Sequence, residues 1–260
     1  MKKIISLILS LTMAFVFIGC NTEESSSAAD ETGAVQREEA EVQDPESSEA
    51  EDPETDPAAS AEAQNAQVLV AYFSWAENAV LDEDVDSVSS PSVISPGNVQ
   101  QLAGWVQEET GGDLFSIQVT DPYPSDWDEC LSRANQERSE DARPELVQNV
   151  ENIDQYDTVF LGYPNWWYGV PMALLSFLEQ NDLSGKDVYL FCSHGTGGLA
   201  NSVEIIREAA PNAIISDNIF DCYEEDAASS QDRIREWAAG LGYTAVDTSE
   251  EQEETAGMES

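Results

Sequence analysis

The chain has 260 residues, of which 52 are acidic and 10 are basic, so its formal net charge is −42. Phosphate contacts need clustered Lys and Arg, so this charge argues against a nucleic-acid-binding protein, and it argues equally against electrostatic binding to anionic lipid. Hydrophobic residues make up 41% of the chain, enough for a buried core. At about 100–200 residues per domain, the length predicts one domain with flanking segments.

Residues 1–20 have the pattern of a secretory signal peptide. Lys2 and Lys3 precede an apolar stretch, 4–18, that is shorter than the roughly 20 residues of a membrane span. The small residue before Cys20 marks the predicted cleavage point, and this arrangement resembles the lipobox of bacterial lipoproteins. The resemblance implies an extracytoplasmic protein attached to the cell membrane through a lipid on Cys20. Ordinary secretion with an incidental Cys20 is the alternative.

Two acidic segments flank the predicted domain. Residues 21–66 contain 15 acids, one base and no aromatic residue, which predicts a disordered linker because such a segment buries too little apolar area to offset its ordering entropy. Residues 245–260 contain 6 acids and are predicted to form a disordered tail. The predicted domain, 67–244, keeps 31 acidic and 7 basic residues, a net charge of −24.

Strands and helices alternate along 67–244. Strands are predicted at 68–73, 114–117, 158–162, 188–192 and 213–215, and helices at 99–106, 125–138, 171–178, 199–209 and 234–241, with Ser125 as a candidate cap. Continuous apolar strands are typical of a parallel sheet that is buried on both faces. Five βα units predict an α/β fold with a doubly wound parallel sheet, in which ligands bind at the carboxyl ends of the strands.

The loop after the first strand has the composition of an anion site. Ser74 begins the loop, and Gly97 and Asn98 open the next helix, so backbone N–H groups and hydroxyls could surround a phosphate there. No Lys or Arg occurs in 67–111, which excludes a nucleoside-triphosphate loop with its lysine. A plain strand-to-helix turn is the alternative.

Two further loops contain residues suited to a planar ligand. The adjacent Trp166 and Trp167 can hardly both point inward, so one of them is expected to offer an aromatic face, unless the loop is only a hydrophobic plug. The loop 193–198 has three glycines, which allow its backbone to approach a ligand closely. His194 is the only histidine, so a metal site is poorly supported, and a packing or hydrogen-bonding role is the commoner one.

These loops together resemble the flavodoxin-like family found in bacterial lipoproteins. The resemblance rests on the runs 71–74, 97–98, 121–124, 142–144, 160–167 and 193–198, and it covers 67–244. It implies five strands in the order 2-1-3-4-5 and one non-covalently bound FMN. The residues implied around the phosphate are Ser74, Asn78, Gly97, Asn98 and Val99. Those implied on one side of the flavin ring are Pro164, Asn165, Trp166, Trp167 and Tyr168, and those on the other are His194, Gly195, Thr196, Gly197 and Gly198.

The first loop departs from the family pattern. About 18 residues separate Asn78 from Gly97, and Val99 replaces a threonine, which removes one hydroxyl contact to phosphate. Glu77 would oppose a phosphate unless it points away. The inserted acids at 82, 83, 84 and 86 could bind a cation, although a solvated charge run is commoner.

The resemblance implies redox chemistry carried by the flavin, with no catalytic side chain required. The expected function is electron transfer, or flavin-dependent reduction of the quinone-reductase type, with a redox protein or a small acceptor such as a quinone as partner. Acidic surroundings should lower the reduction potential of the flavin, because they disfavour its anionic reduced form. Two alternatives remain open: a lipoprotein that uses the scaffold for binding and has lost flavin, and an interaction protein that acts through its acidic tails.

Overall fold

The computed structural model describes residues 67–81 and 91–244. The predicted signal peptide with Cys20, the linker 21–66, the acidic run 82–86 and the tail 245–260 lie outside the described residues. Within the described ranges, each helix is too short or too polar to cross a membrane.

The described residues form parallel strands alternating with helices, as predicted. The strands are β1 Val68–Tyr72, β2 Ala79–Val80, β3 Asp113–Ser116, β4 Tyr123–Pro124, β5 Thr158–Pro164, β6 Asp187–His194, β7 Ile214–Ile215 and β8 Phe220–Tyr223. The helices are α1 Asn98–Thr110, α2 Trp127–Ser139, α3 Met172–Gln180, α4 Ser202–Ala209 and α5 Gln231–Gly240. Short 3-10 turns lie at Trp75–Glu77, Pro91–Val93, Ile153–Gln155 and Glu224–Ser229.

The central sheet is parallel and runs in the order β3-β1-β5-β6-β7, with β8 also paired to β6. Its first four positions correspond to strands 2, 1, 3 and 4 of the expected order. The fifth position is divided, because β7 pairs with the start of β6 and β8 pairs with its end. β2 and β4 form a separate two-stranded parallel ladder. The predicted α/β class with a parallel sheet is confirmed.

Alternation along the strands explains the two layers of helices. In β1, Val68, Val70 and Tyr72 pack toward α1 and α5, whereas Leu69 and Ala71 pack toward the opposite layer, which contains α2, α3 and α4. Because every residue of β1 and of β5 is buried, hydrophobic side chains are needed on both faces of each strand. This is the physical origin of the continuous apolar runs in the sequence.

The starts of α2 and α4 differ from the sequence-based predictions, and α5 begins at Gln231, three residues before the predicted 234. The cap of α2 is Asp126, whose Oδ1 accepts a hydrogen bond from the N–H of Glu129 at 2.9 Å, so the assignment of the cap to Ser125 is wrong. α4 begins at Ser202 instead of residue 199. Gly198 and Ala200 have positive φ, and this backbone conformation delays the helix by three residues.

Candidate functional site

A cleft of about 280 Å³ lies at the carboxyl ends of β1, β5 and β6, where the predicted loops meet. Its volume is close to the lower end of small-molecule pockets, about 300–1,000 Å³. The lining residues come from the three predicted loops, from α2 and from the segment after β8: Trp75, Ser92, Trp127, Cys130, Leu131, Ala134, Pro164, Asn165, Trp166, Trp167, Tyr168, Ser193, His194, Gly195, Thr196, Gly197 and Glu224. Residues distant in sequence therefore converge on one crevice.

Ser74 and Gly97, at the two ends of the first loop, lie next to each other outside the cleft lining. Ser74 is 1% exposed, and its Oγ has no hydrogen-bond partner among the described residues. Gly97 precedes the first turn of α1, whose N–H groups have no partner within the helix. A Cβ on Gly97 would lie 2.5 Å from Ser74 Oγ, so glycine keeps the hydroxyl and the helix terminus adjacent. The Ser74 hydroxyl and the backbone N–H groups at the N-terminus of α1 are both hydrogen-bond donors, and together they suit an anion.

The other three residues expected around a phosphate shape this loop from within. Asn78 Nδ2 donates to the carbonyls of Ser74 and Ile117 at 2.9 and 3.0 Å, and its Oδ1 accepts from Val119 N–H. Asn98 Nδ2 donates to the carbonyl of Glu224 at 2.9 Å. The side chain of Val99 packs in the core. Like Ser74 and Gly97, these three residues lie outside the cleft lining, and their side chains make contacts within the fold that position the loop.

Glu77 does not line the cleft. Its Oε1 accepts a hydrogen bond from the hydroxyl of Tyr72 at 3.2 Å, and its Oε2 is buried without a partner among the described residues. Burial raises the pKa of the Glu77 carboxyl, because desolvation disfavours its charged form. The sequence raised the concern that Glu77 repels a phosphate; in the structure the hydrogen bond to Tyr72 directs Oε1 toward β1.

Trp166 is held by a cluster of aromatic rings on the cleft wall. Its ring makes edge contacts with Phe73, Trp75 and Tyr123 at centroid distances of 5.4, 6.3 and 5.2 Å. The neighbouring Trp167 turns toward α2, where its Nε1 donates to the carbonyl of Leu131 at 3.1 Å. Both indoles are half-buried and line the cleft. Trp166 contacts the aromatic rings of the core, whereas Trp167 contacts α2.

The turn between Trp166 and Gly169 has an uncommon backbone. Trp167 and Tyr168 have φ values of 53° and 61°, and Gly169 N–H donates to the Trp166 carbonyl at 2.9 Å. Positive φ is unfavourable for bulky residues. The turn places Tyr168, which is 63% exposed, at the rim of the cleft and against Gly197, where a Cβ would lie 3.0 Å from the Tyr168 ring.

Asn165 connects the loop that contains Trp166 and Trp167 to the glycine loop 193–198 through hydrogen bonds. Its Nδ2 donates to the carbonyls of Gly198 and Leu199 at 2.8 and 2.9 Å, and its N–H donates to the Ser193 carbonyl. Gly195, Thr196 and Gly197 line the cleft, while Gly198 lies outside the lining.

His194 lies at the end of β6 on the cleft wall. Its Nδ1 is 2.8 Å from the Gly195 carbonyl, and its Nε2 is 2.8 Å from Asp221 Oδ2. The side chain of His194 is 12% exposed and that of Asp221 is 45% exposed. Glu224 lines the same part of the cleft, and burial raises the pKa of its carboxyl.

The sequence analysis missed one whole wall of the cleft. Residues 127, 130, 131 and 134 of α2 all face it, and their spacing is that of one helical face. That periodicity was visible in the sequence, but it indicated only a helix. Trp75 and Ser92 from the first loop and Glu224 after β8 were also missed, since only the packed fold brings these segments to the cleft.

Comparisons with known proteins agree with this geometry. The sequence model of the flavodoxin family matches residues 88–240, more than half of the chain. A candidate flavoprotein from Bacteroides eggerthii is 27% identical with a TM-score of 0.52, over 68% of this chain and 98% of its own. One from Bacteroides uniformis is 23% identical with the same TM-score, over 67% and 98%.

A Lactobacillus acidophilus flavoprotein, solved in complex with FMN, is 15% identical with a TM-score of 0.47, over 64% of this chain and 99% of its own. No curated protein matches this chain. The family match contains α2, the loop with Trp166 and Trp167, and the glycine loop 193–198, and all three segments line the cleft. The chain belongs to the flavodoxin family.

Proposed function

We propose that this protein binds one FMN non-covalently in the cleft and works as an electron carrier or a flavin-dependent reductase. The observation that carries the proposal is the buried hydroxyl of Ser74 beside the N-terminus of α1, which has no hydrogen-bond partner in the part of the chain that the structure describes. An unsatisfied buried hydroxyl costs about 1–3 kcal/mol, so its presence at an anion-binding helix end favours a phosphate ligand. Membership of the flavodoxin family supports the same cofactor.

The residues present fit FMN in three parts. Ser74 Oγ and the first N–H groups of α1 would hold the phosphate. Trp166 and the backbone of 195–197 line the cleft that would take the flavin ring, and Tyr168 lies against Gly197 at its rim. When bound, the flavin supplies the electron chemistry. The protein itself orients the ring, limits water in the cleft and sets the charge around it.

The phosphate contact can be isolated by comparing FMN with riboflavin, which lacks the phosphate. A hydrogen bond to a charged group is worth about 1.5–3 kcal/mol, so Ser74→Ala should weaken FMN binding roughly 10- to 150-fold. Binding of riboflavin should change less than twofold. Titration of the full chain by quenching of tryptophan fluorescence measures both affinities. Equal losses for the two ligands would place the phosphate elsewhere.

The alternative function, a binding module that has lost flavin, has one supporting observation. The side chains of Asn78 and Val99 do not reach the cleft, so the first loop offers fewer side-chain donors than the family pattern implies. This alternative predicts a colourless purified chain and no fluorescence quenching by FMN. A yellow chain, or quenching that saturates, excludes it.

The carrier and the reductase differ in whether they need a protein partner. Purified, FMN-loaded chain that oxidises NAD(P)H with a quinone as sole acceptor is a reductase. A chain that is reduced only through another protein is a carrier. The predicted domain has a net charge of −24, which favours a cationic partner and makes the docking rate fall steeply with salt.

The location of the protein is a separate part of the proposal. Cys20, after the predicted signal peptide, is proposed to carry the lipid that attaches the domain to the outer side of the cell membrane. Cells fed an alkyne-labelled fatty acid should label the wild-type chain and return it in the membrane fraction. Cys20→Ser should remove the label and release the chain from that fraction. Label retained by Cys20→Ser would refute this part.

A further inference from the structure

The lone histidine of the chain has an unusual hydrogen-bond environment. Both ring nitrogens of His194 lie 2.8 Å from oxygen atoms, Nδ1 from the Gly195 carbonyl and Nε2 from Asp221 Oδ2. A carbonyl only accepts hydrogen bonds, and so does an ionised carboxylate. A neutral imidazole has a single N–H, so it could satisfy only one of these two contacts. Both contacts are hydrogen bonds only when a second proton is shared between His194 and Asp221.

The second proton belongs on the histidine. Imidazole is a much stronger base than a carboxylate. The Asp221 side chain is 45% exposed to water, whereas the His194 side chain is 12% exposed and has the two acceptors beside its ring nitrogens. The pair is then an imidazolium beside a carboxylate, joined by a charge-assisted hydrogen bond.

The charged groups around the pair come from three elements. Asp221 and Tyr223 lie on β8, and the Tyr223 ring meets the imidazole edge-on at 6.4 Å. Glu224 follows β8 and lines the cleft beside His194. On α5, Arg233 donates to the Asp221 backbone carbonyl at 2.9 Å. His194 is thus the one cationic residue among the cleft-lining residues described.

The His194–Asp221 pair has a fixed direction relative to the cleft. His194 lines the cleft, whereas Asp221 does not, so the positive end faces the cleft and the negative end faces away. We propose that the His194 imidazolium, held by Asp221, is a positioning charge that favours the reduced flavin over the oxidised flavin. This inference rests on the proposed function, since it needs FMN in the cleft. The acidic domain disfavours an anionic reduced ring, and the single cation at the wall locally offsets that effect.

The protonation state can be measured without FMN, because one histidine gives one set of ring signals. In the ¹⁵N-labelled full chain at about pH 7, the ordinary midpoint region for imidazole, both ring nitrogens should show the shifts of protonated nitrogen. Asp221→Asn should return the ring to a single proton at the same pH. A neutral ring in the wild-type chain overturns the proposal. So does a ring that stays doubly protonated in Asp221→Asn, because Asp221 would then not hold the charge.

The effect on the flavin is measured as the ratio of the dissociation constants of oxidised and reduced FMN. His194→Gln should reduce the relative affinity for reduced FMN about tenfold, which lowers the two-electron midpoint potential by about 30 mV. His194→Lys, which restores a cation, should recover most of the loss. Arg207→Gln removes the same charge from an exposed pair on α4 and should change the ratio less than twofold.

The outcomes separate this inference from the proposed function. Absence of FMN binding refutes the proposed function and, with it, this inference. FMN binding with an unchanged ratio in His194→Gln refutes only the role of His194. An equal change in His194→Gln and Arg207→Gln also refutes it, since the effect would then belong to net charge.

Discussion

At the scale of single residues, Gly97 decides whether the anion site exists. A Cβ there would lie 2.5 Å from Ser74 Oγ and 2.9 Å from the backbone carbonyl oxygen of Ser92. We expect Gly97→Ala to cost about 1–3 kcal/mol of stability by overpacking and to abolish the preference for FMN over riboflavin. Gly104→Ala is the matched control on α1, where a Cβ meets nothing within 4 Å. It should stabilise the protein by about 0.5–1 kcal/mol. Urea unfolding measures both, and a stable Gly97→Ala with intact FMN preference would contradict this role.

Glu77 is the residue for which a pH dependence can be derived. Burial raises its pKa in the folded protein above the value in the unfolded chain, so just above the unfolded value the folded state binds more protons. Its contribution to stability therefore falls as the pH rises through that window. We expect Glu77→Gln to be more stable than wild type at about pH 7, and the difference to vanish at about pH 4. Glu236→Gln, at an exposed position, should show no such trend. Urea midpoints at the two pH values measure this, and a pH-independent difference would disprove it.

At the scale of elements, the Trp166–Gly169 turn combines an uncommon backbone conformation with the proposed flavin contact. A left-handed conformation costs a non-glycine residue roughly 1–2 kcal/mol, and Tyr168 is largely exposed, so its side chain returns little of that cost. Tyr168→Gly should therefore leave the chain as stable or more stable by up to about 1 kcal/mol, while FMN binding weakens. Thermal unfolding of the FMN-free chain and FMN titration measure the two effects. A loss of stability together with unchanged FMN affinity would show that the turn serves only the fold.

The elements also show where sequence patterns were sufficient. β1, β5 and β6 were predictable because strands buried on both faces must be continuously apolar. β8 was not predicted, because its buried Phe220 and Cys222 alternate with the polar Asp221 and leave too short a pattern. That missed strand carries the partner of His194, so the charge pair could not be inferred from the sequence.

At the scale of the whole molecule, the net negative charge is expected to influence stability. The predicted domain has a net charge of −24, and like charges repel each other more in the compact state than in the unfolded chain. Raising the salt concentration from about 0.01 M to about 1 M shortens the Debye length from about 30 to 3 Å. We expect the Tm to rise with sodium chloride, by about 2–4 °C for each kcal/mol of repulsion that is screened. Choline chloride should act equally, whereas a response to sodium alone would indicate a bound cation instead of screening.

The sequence by itself determined the α/β class, the loops that carry the site and the acidic character, because each depends on local composition or on the period of apolar residues. The tertiary structure alone decided which side chains face the cleft. Asn78 and Asn98 make hydrogen bonds within the fold, the Ser74 hydroxyl has no partner among the described residues, and a face of α2 completes the wall of the cleft. Such assignments depend on long-range packing, since a polar side chain finds its partners only when distant segments meet.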